Sequence, residues 1–228
     1  MFKNLLSFWK GKDFLVQVLE DFKCMLDDSE TMFEAVCAQL LVGKEEGALK
    51  DKIYSIDKQV NNLQKEIRRR IVEHLSLQPS VNANACLILM SVIKDAERLG
   101  DYSKNLYEVS QLLSEPIDCA LFSEYFDEMD KEILALFQQT KKAFIDADEE
   151  QARSAWQHET KIAKGCDKII ERLAQSNMTV NQAACFTLIA RHFKRIVAHL
   201  VNIATSVVLP LSDLDYFDER RYGNLVGD

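Results

Sequence analysis

The sequence predicts an all-α protein built as two tandem three-helix bundles of long antiparallel helices. Three observations carry that prediction. Glycine and proline number only seven and three in 228 residues, too few to punctuate a strand-rich chain. Apolar residues recur at helical spacing through almost the whole length. The pattern of three helices closed by a proline then occurs twice.

Taken in order, Met1–Gly11 opens with Phe2, Leu5, Leu6 and Trp9 on one helical stripe ringed by Lys3, Lys10 and Lys12. Residues 1–12 are expected to form a short amphipathic helix, resting on a membrane or on the chain's own bundle. From Asp13 to about Leu41 the stripe is Phe14, Val18, Phe22, Met25, Met32, Val36 and Leu40. Gly43 and Gly47 mark a turn. A second helix, about Ala48 to Leu75, carries Ile53, Ile56, Val60, Leu63, Ile67 and Ile71. Pro79-Ser80 stops it, and Asn82 or Asn84 is placed to cap the next helix. That third helix runs to Leu113, before Glu115-Pro116, with Gly100 alone inside it. A mid-helix glycine costs about 1 kcal/mol against alanine, which points to a close neighbour at that turn.

The second half repeats the plan. One helix is expected over Leu121 to about Asp146, a fifth from Glu149 to Ala174, and a sixth from Thr179 to Val208, before Pro210. Asn84–Asn105 aligns with Asn181–Asn202 without a gap, placing Arg98 on Arg195 and Asn105 on Asn202. On the preceding helix Asp57 falls on Glu159 and Val60 on Ile162. The domain plan is therefore residues 1–12, a first repeat over 13–115, a second over 116–210, and an acidic tail over 211–228.

Net charge −8 disfavours nucleic acid, whose phosphates call for clustered Lys and Arg. Six cysteines without a C-x-x-C pair read as small buried hydrophobes in a reducing cytosol. No segment approaches the ~20 apolar residues of a membrane helix, and Met1–Lys10 lacks a signal-peptide core. The expectation is a cytoplasmic protein that meets the membrane only through partners.

The candidate site lies in the third helix. Glu97 and Asp101 are four residues apart and share a helical face. Asp57 and Asn61 repeat that spacing on the second helix. Side by side, these helices converge three carboxylates and an amide, and gathered carboxylates need a compensating cation. An oxygen-only set suits iron, manganese, magnesium or zinc. The competing reading is a salt-bridge network with Arg98, Lys94 or Lys58. In the second copy Glu97 becomes Lys194, Asp101 becomes Ala198 and Asn61 becomes Ala163, while Glu159 keeps its carboxylate. Lys194 is expected to pair with Glu159, a built-in cation in a degenerate second site. A di-iron oxidase would need Glu-x-x-His twice, and the residues three before His74, His158, His192 and His199 are Ile71, Ala155, Ile189 and Ile196. That motif is absent, as are phosphate loops and a nucleophile elbow.

Glu97-Arg98-Leu99-Gly100-Asp101-Tyr102-Ser103-Lys104-Asn105 resembles the hallmark Glu-Arg-Ile-Gly-Asp-x-x-x-Asn of the PhoU-like proteins of phosphate uptake and its control, with Leu99 a conservative departure. The resemblance spans about Asp13 to Pro210. It implies tandem three-helix bundles, often dimeric, whose acid-x-x-x-acid motifs hold iron or zinc. It implies a non-enzymatic adaptor between a phosphate transporter and a sensor histidine kinase. Carried over by position, Asp57, Asn61, Glu97 and Asp101 are the metal set, with Arg98, Gly100 and Asn105 as motif residues. Lys194 and Ala198 depart from the pattern, so no second cluster is expected. That departure also admits an accessory subunit of another phosphate transporter.

Overall fold

A computed structural model of the chain describes residues 13–42 and 47–214. The expected helix over 1–12 and the tail beyond Leu214 lie outside the described residues. Seven α-helices are present among those described: α1 (Asp13–Val42), α2 (Ala48–Leu77), α3 (Ala83–Leu112), α4 (Cys119–Phe126), α5 (Met129–Asp146), α6 (Glu149–Ala174) and α7 (Val180–Thr205), followed by a 3-10 turn at Leu211–Asp213. The helices α1, α2 and α3 pack as one bundle, and α5, α6 and α7 as the second.

The apolar stripes become the core. Val18, Phe22, Met25, Met32, Val36, Ile53, Val60, Ile67 and Ile71 are all buried. The bundles join through α3 against α7 and α1 against α5, leaving α2 and α6 as outer helices. Phe22 meets Phe144 with ring centroids 4.8 Å apart, and Phe33 meets both Phe137 and Phe193. Lys141 on α5 donates to Asp27 and Glu30 on α1, at 2.8 and 2.5 Å. The inter-bundle seam is therefore apolar at its centre and ionic at its edge.

Where the sequence predicts one fourth helix, the structure has two. Asp127 adopts φ 50°, which breaks the chain between α4 and α5. The stripe Tyr125, Met129, Ile133 passes through the break in register, so periodicity alone does not show it. Tertiary packing explains it. The turn lets Phe122 and Phe126 stack on each other at 4.6 Å and meet Phe186 of α7. Asp118 caps α4 by accepting from the Ala120 amide, and Asp148 caps α6 through the Glu150 and Gln151 amides. Asn82 takes the cap position of α3 in a left-handed conformation, without a side-chain capping bond.

The seam between α3 and α7 is close to self-symmetric. The gap-free alignment of the repeats maps Asp95 onto His192 and Tyr102 onto His199. Asp95 bonds His199, and its mate pair, Tyr102 and His192, is also in contact, with ring centroids 5.7 Å apart. Asn181 likewise clamps the chain after α3, donating to the Leu112 carbonyl and accepting from the Ser114 amide. Its mate Asn84 lines a cleft with Leu209 and Leu211, the positions equivalent to 112 and 114.

Candidate functional site

The residues singled out at the front of the first bundle do meet. Antiparallel packing sets the first half of α2 against the second half of α3, bringing Asp57 and Asn61 alongside Asp101. Asn61 donates its amide to Asp57 Oδ2 at 3.4 Å. Glu97 lies one turn along α3 from Asp101, close enough that Asp101 and Asp57 both act on its charge.

Two cations complete this ledge. Lys104 Nζ bridges the helices, donating to Asp57 Oδ1 at 2.9 Å and to Asp101 Oδ1 at 3.2 Å. Arg98 donates to Asp101 Oδ2 at 2.8 Å and lies 3.6 Å from Glu97 Oε2. The Lys104, Asp57 and Asp101 side chains are 20%, 15% and 24% exposed, so water screens these pairs only in part. Burial alone would lower the Lys104 pKa, but the hydrogen bonds and charges of Asp57 and then Asp101 outweigh it and raise it above the ordinary lysine value. Burial, then the neighbouring Asp101, raises the Glu97 pKa, against the pull of Arg98 and Arg68. Arg98 was foreseen in this role, but Lys104 was not. Its signal was its place three residues after Asp101, on the same face.

These donors can be tested against a metal. A divalent cage needs several oxygens turned inward and free to ligate. Here both oxygens of Asp101 and one of Asp57 accept from cationic groups, and the fourth accepts from Asn61. Among the described residues no group of three or more His, Cys, Asp or Glu side chains is arranged to hold a metal ion. As arranged, the residues form an ion-pair network and do not fit iron or zinc.

Gly100 is buried behind the ledge. A Cβ there would meet Val60 Cγ1 at 3.6 Å, Ser29 Oγ at 3.7 Å and Met32 Sδ at 3.9 Å, all ordinary contacts. The close approach expected at this turn is thus not so tight as to require glycine. Asn105 is half-buried one turn beyond Asp101.

In the second bundle the expected partner of Lys194 is replaced. Lys194 Nζ donates to both oxygens of Asp167, at 2.7 and 2.6 Å. Asp167 stands eight residues beyond Glu159, about 12 Å along α6. The antiparallel register sets Lys194 at the level of Asp167, two turns from Glu159. Glu159 is buried on α6, with Thr160 donating to it at 3.4 Å.

One buried polar cluster escaped the sequence reading. Asp95, fully inside the α3–α7 seam, accepts from His199 Nδ1 at 2.7 Å and from Asn202 Nδ2 at 2.9 Å. The ring of Tyr102 stacks on His199 with centroids 5.6 Å apart, and Arg195 donates to the Tyr102 hydroxyl. The available signal was an acid set three after Val92 and four before Leu99, inside an apolar stripe. His192 and His199 are both half-buried, and each packs its ring against Tyr102. Four of the six cysteines (37, 86, 166 and 185) are buried, and all six are free thiols.

A sequence profile described as the PhoU domain matches residues 22–110 and again 126–207. The chain belongs to the PhoU family. The PhoU match falls once on each bundle. Among relatives, the chain is 26% identical over 204 residues to the phosphate-specific transport system accessory protein PhoU homolog 1 of Thermotoga maritima, covering 85% of this chain and 81% of that one. It is 22% identical over 185 residues to the corresponding PhoU homolog of Caulobacter vibrioides, covering 78% and 80%. Two crystal structures share the fold at 19% identity, covering 86% of this chain and 95% of theirs. They are PhoU from Pseudomonas aeruginosa, TM-score 0.75, and the phosphate transport system regulatory protein PhoU from Streptococcus pneumoniae, TM-score 0.71. The PhoU architecture of two tandem three-helix bundles is the one seen here.

Proposed function

We propose that this chain is a non-enzymatic regulator or adaptor of phosphate transport and phosphate-starvation signalling. It works in the cytoplasm as a homodimer, with a phosphate transporter and a sensor histidine kinase as partners. The observation that carries this reading is the double PhoU match, one copy per bundle, shared with relatives named as accessory proteins of phosphate-specific transport systems. Among the described residues no helix is long and apolar enough to cross a membrane, so the proposed membrane contact runs through a partner.

The ledge supports a binding role over a catalytic one. Both oxygens of Asp57 and of Asp101 already accept hydrogen bonds, from Asn61, Lys104 and Arg98, an ion-pair arrangement that ties α2 to α3. Iron or zinc on Asp57, Asn61, Glu97 and Asp101 belongs to this proposal only if Lys104 and Arg98 first swing away. A second reading, an accessory subunit of a different phosphate transporter, is favoured by Lys194 and Ala198, where the second copy leaves the hallmark.

The test is capture of the tagged chain from cells grown with and without phosphate, with cross-linking before lysis. Recovery of phosphate-transporter subunits in phosphate-replete cells is the expected result. Repeated capture with neither transporter nor kinase enriched over an untagged control would end the proposal.

A further inference from the structure

We infer that Lys104 is the resident cation of the first bundle: its ammonium takes the place between Asp57 and Asp101 that a divalent metal would need, and so keeps the wild-type chain metal-free there. The inference rests on reading this ledge as the chain's functional site, and adds what occupies it. Two independent features support it. Lys104 reaches across the helix seam, so it ties α3 to α2 and is more than a local pairing with Asp101 three residues before it. The second bundle uses the same device, with Lys194 of α7 holding Asp167 of α6 across the equivalent seam. The chain thus places one ammonium between the second and third helix of each bundle.

The physical argument is competition. A divalent ion entering between Asp57 and Asp101 must displace an ammonium that is covalently tethered and therefore always present at high effective concentration. Arg98 adds to the barrier, because it holds the other oxygen of Asp101. A divalent ion added beside Lys104 and Arg98 would bring two more positive charges to a ledge only partly open to water, and both side chains would repel it. Removing the lysine charge would leave Asp57 without its cation and Asp101 with Arg98 alone, which favours an oxygen-binding metal.

The experiment titrates Mn(II), followed by its free-ion electron paramagnetic resonance signal, into the full chain. Manganese is chosen because it prefers oxygen and ignores the six thiols. Wild type is compared with Lys104→Gln, with Asp57→Asn/Asp101→Asn, and with the triple variant. Lys104→Met is a second neutral replacement should the glutamine fold poorly, and circular dichroism melts confirm folding. The expected result is at least tenfold tighter Mn(II) binding by Lys104→Gln than by wild type, with the gain abolished in the triple variant. Wild type binding as tightly as Lys104→Gln, and losing that affinity in Asp57→Asn/Asp101→Asn, would overturn the role of Lys104 while leaving a metal site standing. No Asp-dependent binding in any variant would overturn both.

Discussion

Asp95 is an acid placed inside the α3–α7 seam. Its side chain is 1% exposed and meets His199 and Asn202 across the seam. A buried carboxylate deprived of a donor is left with an uncompensated charge, so breaking such a pair is far more damaging than the pair's net worth. His199→Ala is therefore expected to destabilise the protein by about 2–4 kcal/mol, read from urea denaturation. Asp95→Asn/His199→Ala should cost less than the two single changes added together. Glu97 behaves in the opposite sense. Its folded-state pKa is raised, first by burial and next by Asp101, so the folded protein binds its proton more readily than the unfolded chain does. Stability then falls as pH rises from the unfolded pKa through the folded one, and stays lower above it. Glu97→Gln should gain stability relative to wild type at pH 7, with the difference shrinking as pH is lowered through the acid range; paired thermal melts across pH check it. At this scale the sequence named the acids but not all of their partners. Asp57, Glu97 and Asp101 follow from spacing along single helices. Lys104 on Asp57, and His199 on Asp95, depend on the register between helices, which no single stretch encodes.

The helices themselves were legible, because glycine and proline are rare and, Gly100 and Gly165 apart, sit outside the stripes. The α4–α5 break was not, since the apolar period runs through Asp127 unchanged and the turn is set by aromatic packing on Phe186. Gly100 shows the converse limit. Its place inside a helix pointed to close approach, yet the space accepts a Cβ at ordinary contact distance. Gly100→Ala should consequently stabilise α3 by about 0.5–1 kcal/mol through helix propensity, seen as a raised urea midpoint. A lowered midpoint would show that the turn needs glycine after all. Gly165 differs, because an added Cβ would lie 2.9 Å from Met129 Cε and require that side chain to move. Both glycines face a neighbouring helix, and at Gly165 the neighbour is the flexible end of the Met129 side chain.

The described residues hold two PhoU copies joined through a nearly self-symmetric α3–α7 seam, with a lysine clipping the second helix to the third in each copy. The repeat was visible in the sequence, and with it the family. What the repeat hid was the second lysine's partner: aligning Asp57 with Glu159 put Lys194 opposite the wrong turn of α6, an error of two turns that only the antiparallel register corrects. The family names a role in phosphate transport for its relatives, and the present chain keeps both bundles that such a role would use. The measurement that tests this most directly is radiolabelled phosphate uptake in phosphate-replete cells lacking the chain, with and without the gene restored. Uptake that rises on loss and returns on restoration is the predicted result. Uptake identical in all three strains would contradict it.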